Sequence, residues 1–272
     1  MSSKKQHSIL VGIDYSKSSE NALNYALHLA ERFKTKVILL HVFEFPVVHT
    51  NSGLYVVDYK AVKAHDLEKL EKVRSKALQK FPTAVIECIN TTDTLKSFIK
   101  DLAKKKVIDY VVLGLQTKDK LSKLLYSTTG VNLSTKIDCP VIIVPEKYKQ
   151  HDLVHAVISV DNIHSIKKQN LEKALTFTKD YKCNSKLVHI QTQDEFMLVN
   201  QKNAQKEKAK WDIKTIKAVD FGKGIATYVK NNKTDMVVMF SHSHSVFYSL
   251  FNESNTKHIA FQSKVPVMAI HE

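Results

Sequence analysis

The residues of this chain that could do chemistry follow apolar segments, and their spacing occurs twice. After Val111-Val112-Leu113, the first copy has Gly114, then Thr117 after two residues and Ser127 after nine more. The second copy, after the apolar segment 237–240, has the same spacing at three positions: Ser241, His244 and Ser254. A loop that follows a strand and opens a helix can hold phosphate through its backbone amides and hydroxyls. The repeat therefore indicates two copies of one candidate phosphate-binding loop.

The strongest phosphate candidate is the series Ser127-Thr128-Thr129-Gly130, because its pattern predicts the start of a helix. Hydroxyls and amides at a helix start can bind phosphate oxygens with help from the helix dipole. The same residues would also suit an ordinary Ser/Thr N-cap. Gly114 has two interpretations as well, since a glycine at a strand end lets a ligand approach the backbone or allows a positive φ.

An aspartate follows the first predicted strand of each half, Asp14 in the first and Asp161 in the second. In an open parallel sheet, ligands bind at the carboxyl ends of the strands, where the strand order reverses. An aspartate there can accept a hydrogen bond from a ribose hydroxyl or an adenine amine. The alternative is an aspartate that forms a turn or caps a helix.

The histidines of the chain are predicted to be packed within strands or to lie in a polar loop. His41 and His189 lie within apolar strand patterns, so we expect packed side chains with one nitrogen hydrogen-bonded. His242 and His244 alternate and could chelate a metal, but no Asp, Glu or Cys partner stands at metal-ligand spacing. We therefore expect a polar loop and no metal. Without a nucleophile elbow, a Walker loop or an acid/base pair, the chain is not expected to be an enzyme.

Each half alternates strand and helix patterns, which predicts an α/β fold with a parallel sheet and helices on both of its faces. The predicted strands are 8–13, 36–43, 83–89, 110–113, 141–144, 154–160, 186–190, 213–219, 236–240 and 267–270. The predicted helices are 18–33, 59–81, 94–106, 165–181, 194–210 and 224–231. Ser18 or Ser19 would cap the first helix and Asp93 the third. The stretches 44–57 and 241–248 are predicted to be mobile loops.

Length and composition define the setting of these elements. The 272 residues suit two domains, which we place at 1–146 and 152–272 on either side of a polar linker. The net charge is +14, but the lysines alternate with acidic residues on a predicted helix, so we expect a solvated face rather than a nucleic-acid partner. No apolar run is long enough to span a membrane and no export signal is evident, and we expect a cytoplasmic protein with reduced cysteines.

Three segments together resemble the universal stress protein family, in a tandem arrangement. They are Ile9-Leu10-Val11-Gly12-Ile13-Asp14-Tyr15-Ser16, Val37-Ile38-Leu39-Leu40-His41-Val42 and Asp138-Cys139-Pro140-Val141-Ile142-Ile143-Val144. The resemblance implies two tandem five-stranded, Rossmann-like α/β domains. It also implies that the two domains pair edge to edge through their last strands, as an internal pseudo-dimer. Pairing of this kind would cover two apolar edges that would otherwise favour aggregation.

The resemblance implies a site for ATP or another adenine nucleotide, with Mg²⁺ accompanying ATP. Asp14 and Val42 would face the adenine, and Leu113 and Gly114 would lie along the nucleotide. The residues around the phosphates and ribose would be Thr117, Ser127, Thr128 and Thr129.

Nucleotide-binding relatives carry a pattern of glycine, two residues, glycine, nine residues, then glycine and Ser/Thr. Here Gly114 and Thr128 match that pattern, whereas Thr117 and Ser127 replace glycines. Side chains at two such positions could lower affinity by roughly a hundredfold. The second half lacks all three glycines and has Asn255 in place of the Ser/Thr, so we expect it to be a structural partner.

Three functions follow from these observations. The first is a non-catalytic stress-response protein that senses an adenine nucleotide through its first half. The second is a ligand-free module that acts through regulatory partner proteins, and the third is a weak ATPase. The resemblance also makes a homodimer of the whole chain an expectation.

Overall fold

A computed structural model describes residues 8–44, 48–50, 53–55, 58–115, 133, 136–160, 167–192, 212–241 and 264–271, with only the backbone described at 48–50, 53–55 and 241. Within these ranges the strands of the first half are β1 Ser8–Gly12, β2 Lys36–Val42, β3 Val48–Thr50, β4 Gly53–Tyr55, β5 Val85–Thr91, β6 Tyr110–Leu115 and β7 Val141–Pro145. Those of the second half are β8 His155–Ser159, β9 Asn184–Thr192, β10 Ile213–Ala218, β11 Met236–Ser241 and β12 Val267–His271.

Five helices with defined ends lie in the described ranges. They are α1 Lys17–Phe33, α2 Tyr59–Lys80, α3 Leu95–Lys104, α4 Lys168–Tyr181 and α5 Phe221–Asn231. One core, on one face of the sheet, contains buried residues of α1, α2 and α4. A second core contains buried residues of α3 and α5. Helices therefore cover both faces, as the alternating pattern predicts.

Ten strands form one continuous sheet in the order β10-β9-β8-β11-β12-β7-β6-β1-β2-β5. Pairing is parallel within each half, and both halves have the same strand order. The halves join where β12 pairs antiparallel with β7, with Met268 opposite Ile142. The predicted α/β class, with tandem five-stranded parallel sheets paired through their last strands as an internal pseudo-dimer, is confirmed. The domain bounds 1–146 and 152–272 stay predictions.

An aromatic cluster reinforces the junction on the α1 face of the sheet. Phe177 of α4 is buried, and its ring centroid lies 5.6 Å from that of Phe33 and 5.5 Å from that of Tyr110. Tyr181 completes this four-ring cluster, and its carbonyl accepts a hydrogen bond from Nε of Arg32 at 3.0 Å. Two rings come from each half, so the cluster is a side-chain contact between the two halves.

The structure corrects several predicted helix ends. Ser16, rather than Ser18 or Ser19, caps α1, and its side chain accepts from the Ser19 amide. Thr94, rather than Asp93, caps α3. The helix predicted to begin at 224 begins at Phe221, because Asp220 caps it ahead of the two glycines that obscured the pattern. In each case the oxygen that reaches a free amide of the first turn marks the helix start.

The two predicted loops have different outcomes. The stretch 44–57, predicted as a loop, contains a short hairpin in which β3 and β4 pair antiparallel. Val48 pairs with Tyr55 and Thr50 with Gly53. Of 241–248, position 241 ends β11, and the rest lies outside the described residues, as does the predicted helix 194–210.

Replacing Thr94 with alanine is expected to lower the free energy of unfolding by about 1 kcal/mol, because the Ser97 amide loses its acceptor. The matched control is Asp93→Ala, which removes the residue that the sequence pattern favoured as the cap. We expect Asp93→Ala to change the free energy of unfolding by less than about 0.5 kcal/mol. Urea unfolding followed by circular dichroism measures both, and equal losses would contradict the observed cap.

Candidate functional site

The strand order reverses between β1 and β6, which are neighbours in the sheet. From β1 the chain continues to β2 on one side, and from β6 it continues to β7 on the other. A crevice at the carboxyl ends of such a strand pair is the usual ligand position in an open α/β sheet. In the first half this position brings together the end of β1, the start of α1 and the end of β6.

Asp14 forms the turn between β1 and α1. Its Oδ1 accepts hydrogen bonds from the Ser16 amide at 3.0 Å and from the Ser16 hydroxyl at 2.5 Å. Tyr15 between them has a left-handed φ of 61°. Ser16 then caps α1 by accepting from the Ser19 amide at 3.2 Å. Of the two interpretations of Asp14, the structure therefore contains the turn-forming one, with the half-buried carboxylate beside the crevice.

Gly114 does not have the positive φ that we considered, and it has a packing role that the sequence did not suggest. A Cβ at this position would lie 2.8 Å from the Ser19 nitrogen and closer still to the Ser18 carbonyl. Its φ is outside the left-handed region. Glycine is therefore required because β6 packs directly against the first turn of α1. The backbone that approaches closely belongs to the protein itself.

Ser18 and Ser19 are site residues that sequence reasoning missed, having been considered only as caps. Both are buried, and the Ser19 hydroxyl accepts from the Asp14 amide at 3.4 Å. The same hydroxyl donates to the Ser16 carbonyl at 3.0 Å. Ser19 therefore lies between Asp14 and Gly114 and joins the two predicted residues into one unit. The sequence signal for these site residues was a pair of adjacent serines on the inward face of the predicted helix start.

Val42 and Leu113 lie on the opposite face of the sheet from Gly114. Leu113 is 1% exposed and belongs to the core beneath α3 and α5. Val42 ends β2 and is half-buried against the same core. A ligand at the crevice could therefore meet the side chain of Val42 but only the backbone of Leu113. The other predicted site residues, Thr117, Ser127, Thr128 and Thr129, lie outside the described residues, as do Asp161, His244, Ser254 and Asn255.

A buried polar network lies beside the crevice, under α2. His41 Nδ1 is 2.5 Å from the Ile13 carbonyl, and its Nε2 is 3.4 Å from Oδ1 of Asp66. Oδ2 of Asp66 accepts from the Asn90 amide at 3.3 Å. The Tyr15 ring lies 4.5 Å from the His41 ring and its hydroxyl reaches Asp66. Both nitrogens of the His41 ring therefore face oxygen atoms.

Sequence reasoning found His41 but missed Asp66 and Asn90. The signal for Asp66 was its place on the inward stripe of α2, four residues before the buried Leu70. In the second half, His189 makes the same contact, with Nδ1 2.8 Å from the Val160 carbonyl. The prediction that both histidines are packed with a hydrogen-bonded nitrogen is therefore confirmed.

Burial favours the protonated form of two of the cysteine thiols. Burial, with a contribution from the Glu71 carboxylate, raises the pKa of the Cys88 thiol to about 12, and burial raises the pKa of Cys183 to about 11. Cys88, Cys139 and Cys183 form no disulfide bond. In the described ranges, no group of three or more His, Cys, Asp or Glu side chains lies close enough together to hold a metal ion.

None of the helices found there has the length and apolarity needed to cross a membrane.

Comparison with known proteins decides the family. The model of the universal stress protein family matches residues 6–145, which is half of the chain. The chain belongs to this family. The matched segment includes β1 to β7, and thus the whole first-half crevice with Asp14, Ser19 and Gly114.

Curated relatives in the family are single units that align with half of this chain. Universal stress protein YxiE of Bacillus subtilis is 32% identical over 145 residues, covering 50% of this chain and 97% of its own. Universal stress protein MJ0531 of Methanocaldococcus jannaschii is 25% identical over 147 residues, covering 52% and 84%. A universal stress protein structure from Archaeoglobus fulgidus covers 98% of this chain and 99% of its own at 15% identity, with a TM-score of 0.65. That likeness concerns the fold, and it extends over both halves.

Proposed function

We propose that this universal stress protein is a non-catalytic stress-response protein whose first half binds an adenine nucleotide at the crevice between β1 and β6. The observation that carries the proposal is the half-buried Asp14 carboxylate, which the turn into α1 holds at the point where the strand order reverses. The half-buried Asp14 carboxylate would accept a hydrogen bond from an adenine amine or a ribose hydroxyl. Its bonds to Ser16 fix its orientation before any ligand arrives.

The rest of the proposed site follows the family resemblance. Val42 would supply an apolar contact for the base at the end of β2. Four residues would surround the phosphates and ribose: Thr117, Ser127, Thr128 and Thr129. Magnesium, when ATP is the ligand, would neutralise phosphate charge. The second half, with no glycine at its three repeat positions, would serve as the partner that covers β7.

One observation favours the alternative of a ligand-free interaction module. Gly114 is the only one of the three family glycines kept in the first half, and packing against Ser18 and Ser19 accounts for it without a nucleotide. Its presence therefore does not argue for binding. The proposal depends instead on Asp14 and on the hydroxyl-bearing residues that follow β6 in the sequence.

Calorimetric titration with ATP, AMP and cyclic AMP in magnesium buffer tests the proposal. Asp14→Asn keeps an oxygen that can accept from the Ser16 amide but removes the carboxylate charge. We expect it to lower affinity about tenfold, the effect of losing one charge-assisted hydrogen bond. The matched control is Asp161→Asn, at the same repeat position of the second half, which should leave affinity unchanged.

The outcomes separate the three functions. Binding that only Asp14→Asn weakens supports the nucleotide sensor. Equal losses in both variants, or no heat with millimolar nucleotide, would refute a first-half site and leave the interaction module as the better proposal. If the chain releases phosphate from ATP and Asp14→Asn abolishes that release, the weak ATPase is indicated instead.

A further inference from the structure

A second cleft lies at the opposite edge of the first-half sheet, where β6 and β7 begin. It has a volume of about 870 Å³ and lies between α3 and these strand starts on one side and α4 of the second half on the other. Its floor includes the buried Ile108, Tyr110 and Cys139. Five of its lining residues are lysines, and we call it the basic cleft: Lys100, Lys104, Lys106, Lys136 and Lys173.

The acidic side chains of the basic cleft are largely engaged elsewhere. Asp109 accepts from the Ser8 amide at 2.9 Å, and Glu172 pairs with Lys168 at 3.7 Å. Asp138 is exposed, and its backbone carbonyl lies 3.5 Å from Lys173 Nζ. Within the described part of the chain, no ion pair joins a carboxylate to the other four lysines. With five lysines and three carboxylates in its lining, the cleft has an excess of positive charge.

The lysines of the basic cleft also affect the pKa of a neighbouring lysine, Lys96. The ammonium group of Lys136 beside Lys96 lowers the pKa of the Lys96 side chain. Like charges held close together raise the free energy of the charged forms. A bound polyanion would relieve that repulsion, and a concave surface lets several lysines contact one small ligand.

The repeat within the chain shows that the fold does not need these lysines. The two halves align with Pro140 at the position of Pro266, and on that register Lys100 corresponds to Ala226 and Lys136 to Gln262. Of the two cleft lysines on α3, Lys100 and Lys104, only Lys104 has a lysine at the corresponding position of the second half, Lys230. The second half forms the same strand order with a lysine at only one of these three positions. The lysine cluster is thus a property of the first half, beyond what the architecture requires.

From these observations we propose that the basic cleft binds a small polyphosphate anion. The site is separate from the crevice between β1 and β6, because the cleft lies at the amino ends of the strands and the crevice at their carboxyl ends. Three or more lysines would contact the phosphate oxygens, and Gln169 and Thr176 on α4 would add neutral donors. The volume suits a compact ligand rather than a duplex nucleic acid.

Titration with inorganic tripolyphosphate tests this proposal without any adenine group. The cleft variant is Lys100→Gln/Lys136→Gln, and the charge-matched control is Lys60→Gln/Lys69→Gln, two exposed lysines of α2 outside the cleft. All four side chains are exposed, so both variants should fold. We expect the cleft variant to bind about tenfold more weakly and the control to stay within about twofold of the original chain.

Several results would overturn the proposal. Equal losses in the two double variants would show that net charge alone attracts the anion, and no binding at 50 mM salt would exclude the site. Binding of a single-stranded DNA 20-mer is measured as well. If the DNA binds more tightly than tripolyphosphate, and both double variants weaken DNA binding equally, the lysines form a diffuse nucleic-acid surface. Asp14→Asn should leave tripolyphosphate binding unchanged, which separates this proposal from that of the nucleotide crevice.

Discussion

Replacing Gly114 with alanine is expected to lower the free energy of unfolding by about 3 kcal/mol, at the upper end of the usual cost of overpacking. The new Cβ would lie 2.8 Å from the Ser19 nitrogen and closer to the Ser18 carbonyl. Both atoms belong to the backbone of α1, which cannot rotate away as a side chain can. Relief requires α1 to move from β6, and α1 also packs on β1 and β7 through residues of the buried core.

Gly224→Ala is the matched comparison, because its Cβ would also meet close neighbours. The nearest is Ile190 Cγ2 at 2.5 Å, which a change of rotamer can move, whereas Ala218 Cβ at 2.8 Å is fixed to its backbone. Alanine also favours the helical state of α5 over glycine by roughly 1 kcal/mol. We therefore expect a smaller loss for Gly224→Ala than for Gly114→Ala. Urea unfolding followed by circular dichroism measures both, and a Gly114→Ala loss below about 1 kcal/mol would refute the packing role.

This role of Gly114 determines which variants can test ligand binding. Any larger residue at 114 disturbs the start of α1, including the turn that orients Asp14. Loss of nucleotide binding in such a variant would follow from the altered fold whether or not the glycine touches a ligand. Asp14→Asn avoids this problem because an amide oxygen can still accept from Ser16.

The strands could be predicted from the sequence because strands of a parallel sheet are buried on both faces and give continuous apolar runs. Val111-Val112-Leu113 and Val237-Val238-Met239 are such runs, and they lie in β6 and β11. Helix ends were less predictable, since Ser16 and Ser18 are equally suited to capping by type. Only the backbone path selects the oxygen that reaches the free amide.

The candidate site was predictable only in part, for a related reason. Asp14 follows a strand and could be recognised by position. The function of Gly114 depends on contact with α1, and that of Asp66 on contact with His41, between elements distant in the chain. A single sequence contains the residue types but not these contacts. The apolar spacing of α2 around Asp66 was the nearest available signal.

Replacing Phe177 with alanine is expected to lower the free energy of unfolding by about 3–5 kcal/mol. Phe177 is fully buried, and its ring contacts Phe33 and Tyr110 of the first half and Tyr181 of its own half. Alanine would leave a cavity that the ten-stranded sheet beneath it cannot close. Phe177→Leu fills most of the space and should cost less than about half as much. Similar losses for the two variants would contradict a cavity as the cause.

A double-mutant cycle shows whether the four-ring cluster couples the two halves. Phe33→Ala and Phe177→Ala remove rings from opposite halves whose centroids are 5.6 Å apart. We expect a coupling free energy of about 1 kcal/mol between them, in the range measured for aromatic pairs. Additive losses would mean that each ring stabilises only its own half, and that the junction depends on the β7–β12 pairing alone. A positive coupling would make the second half a structural support for the first, because Phe33 ends the helix whose first turn orients Asp14.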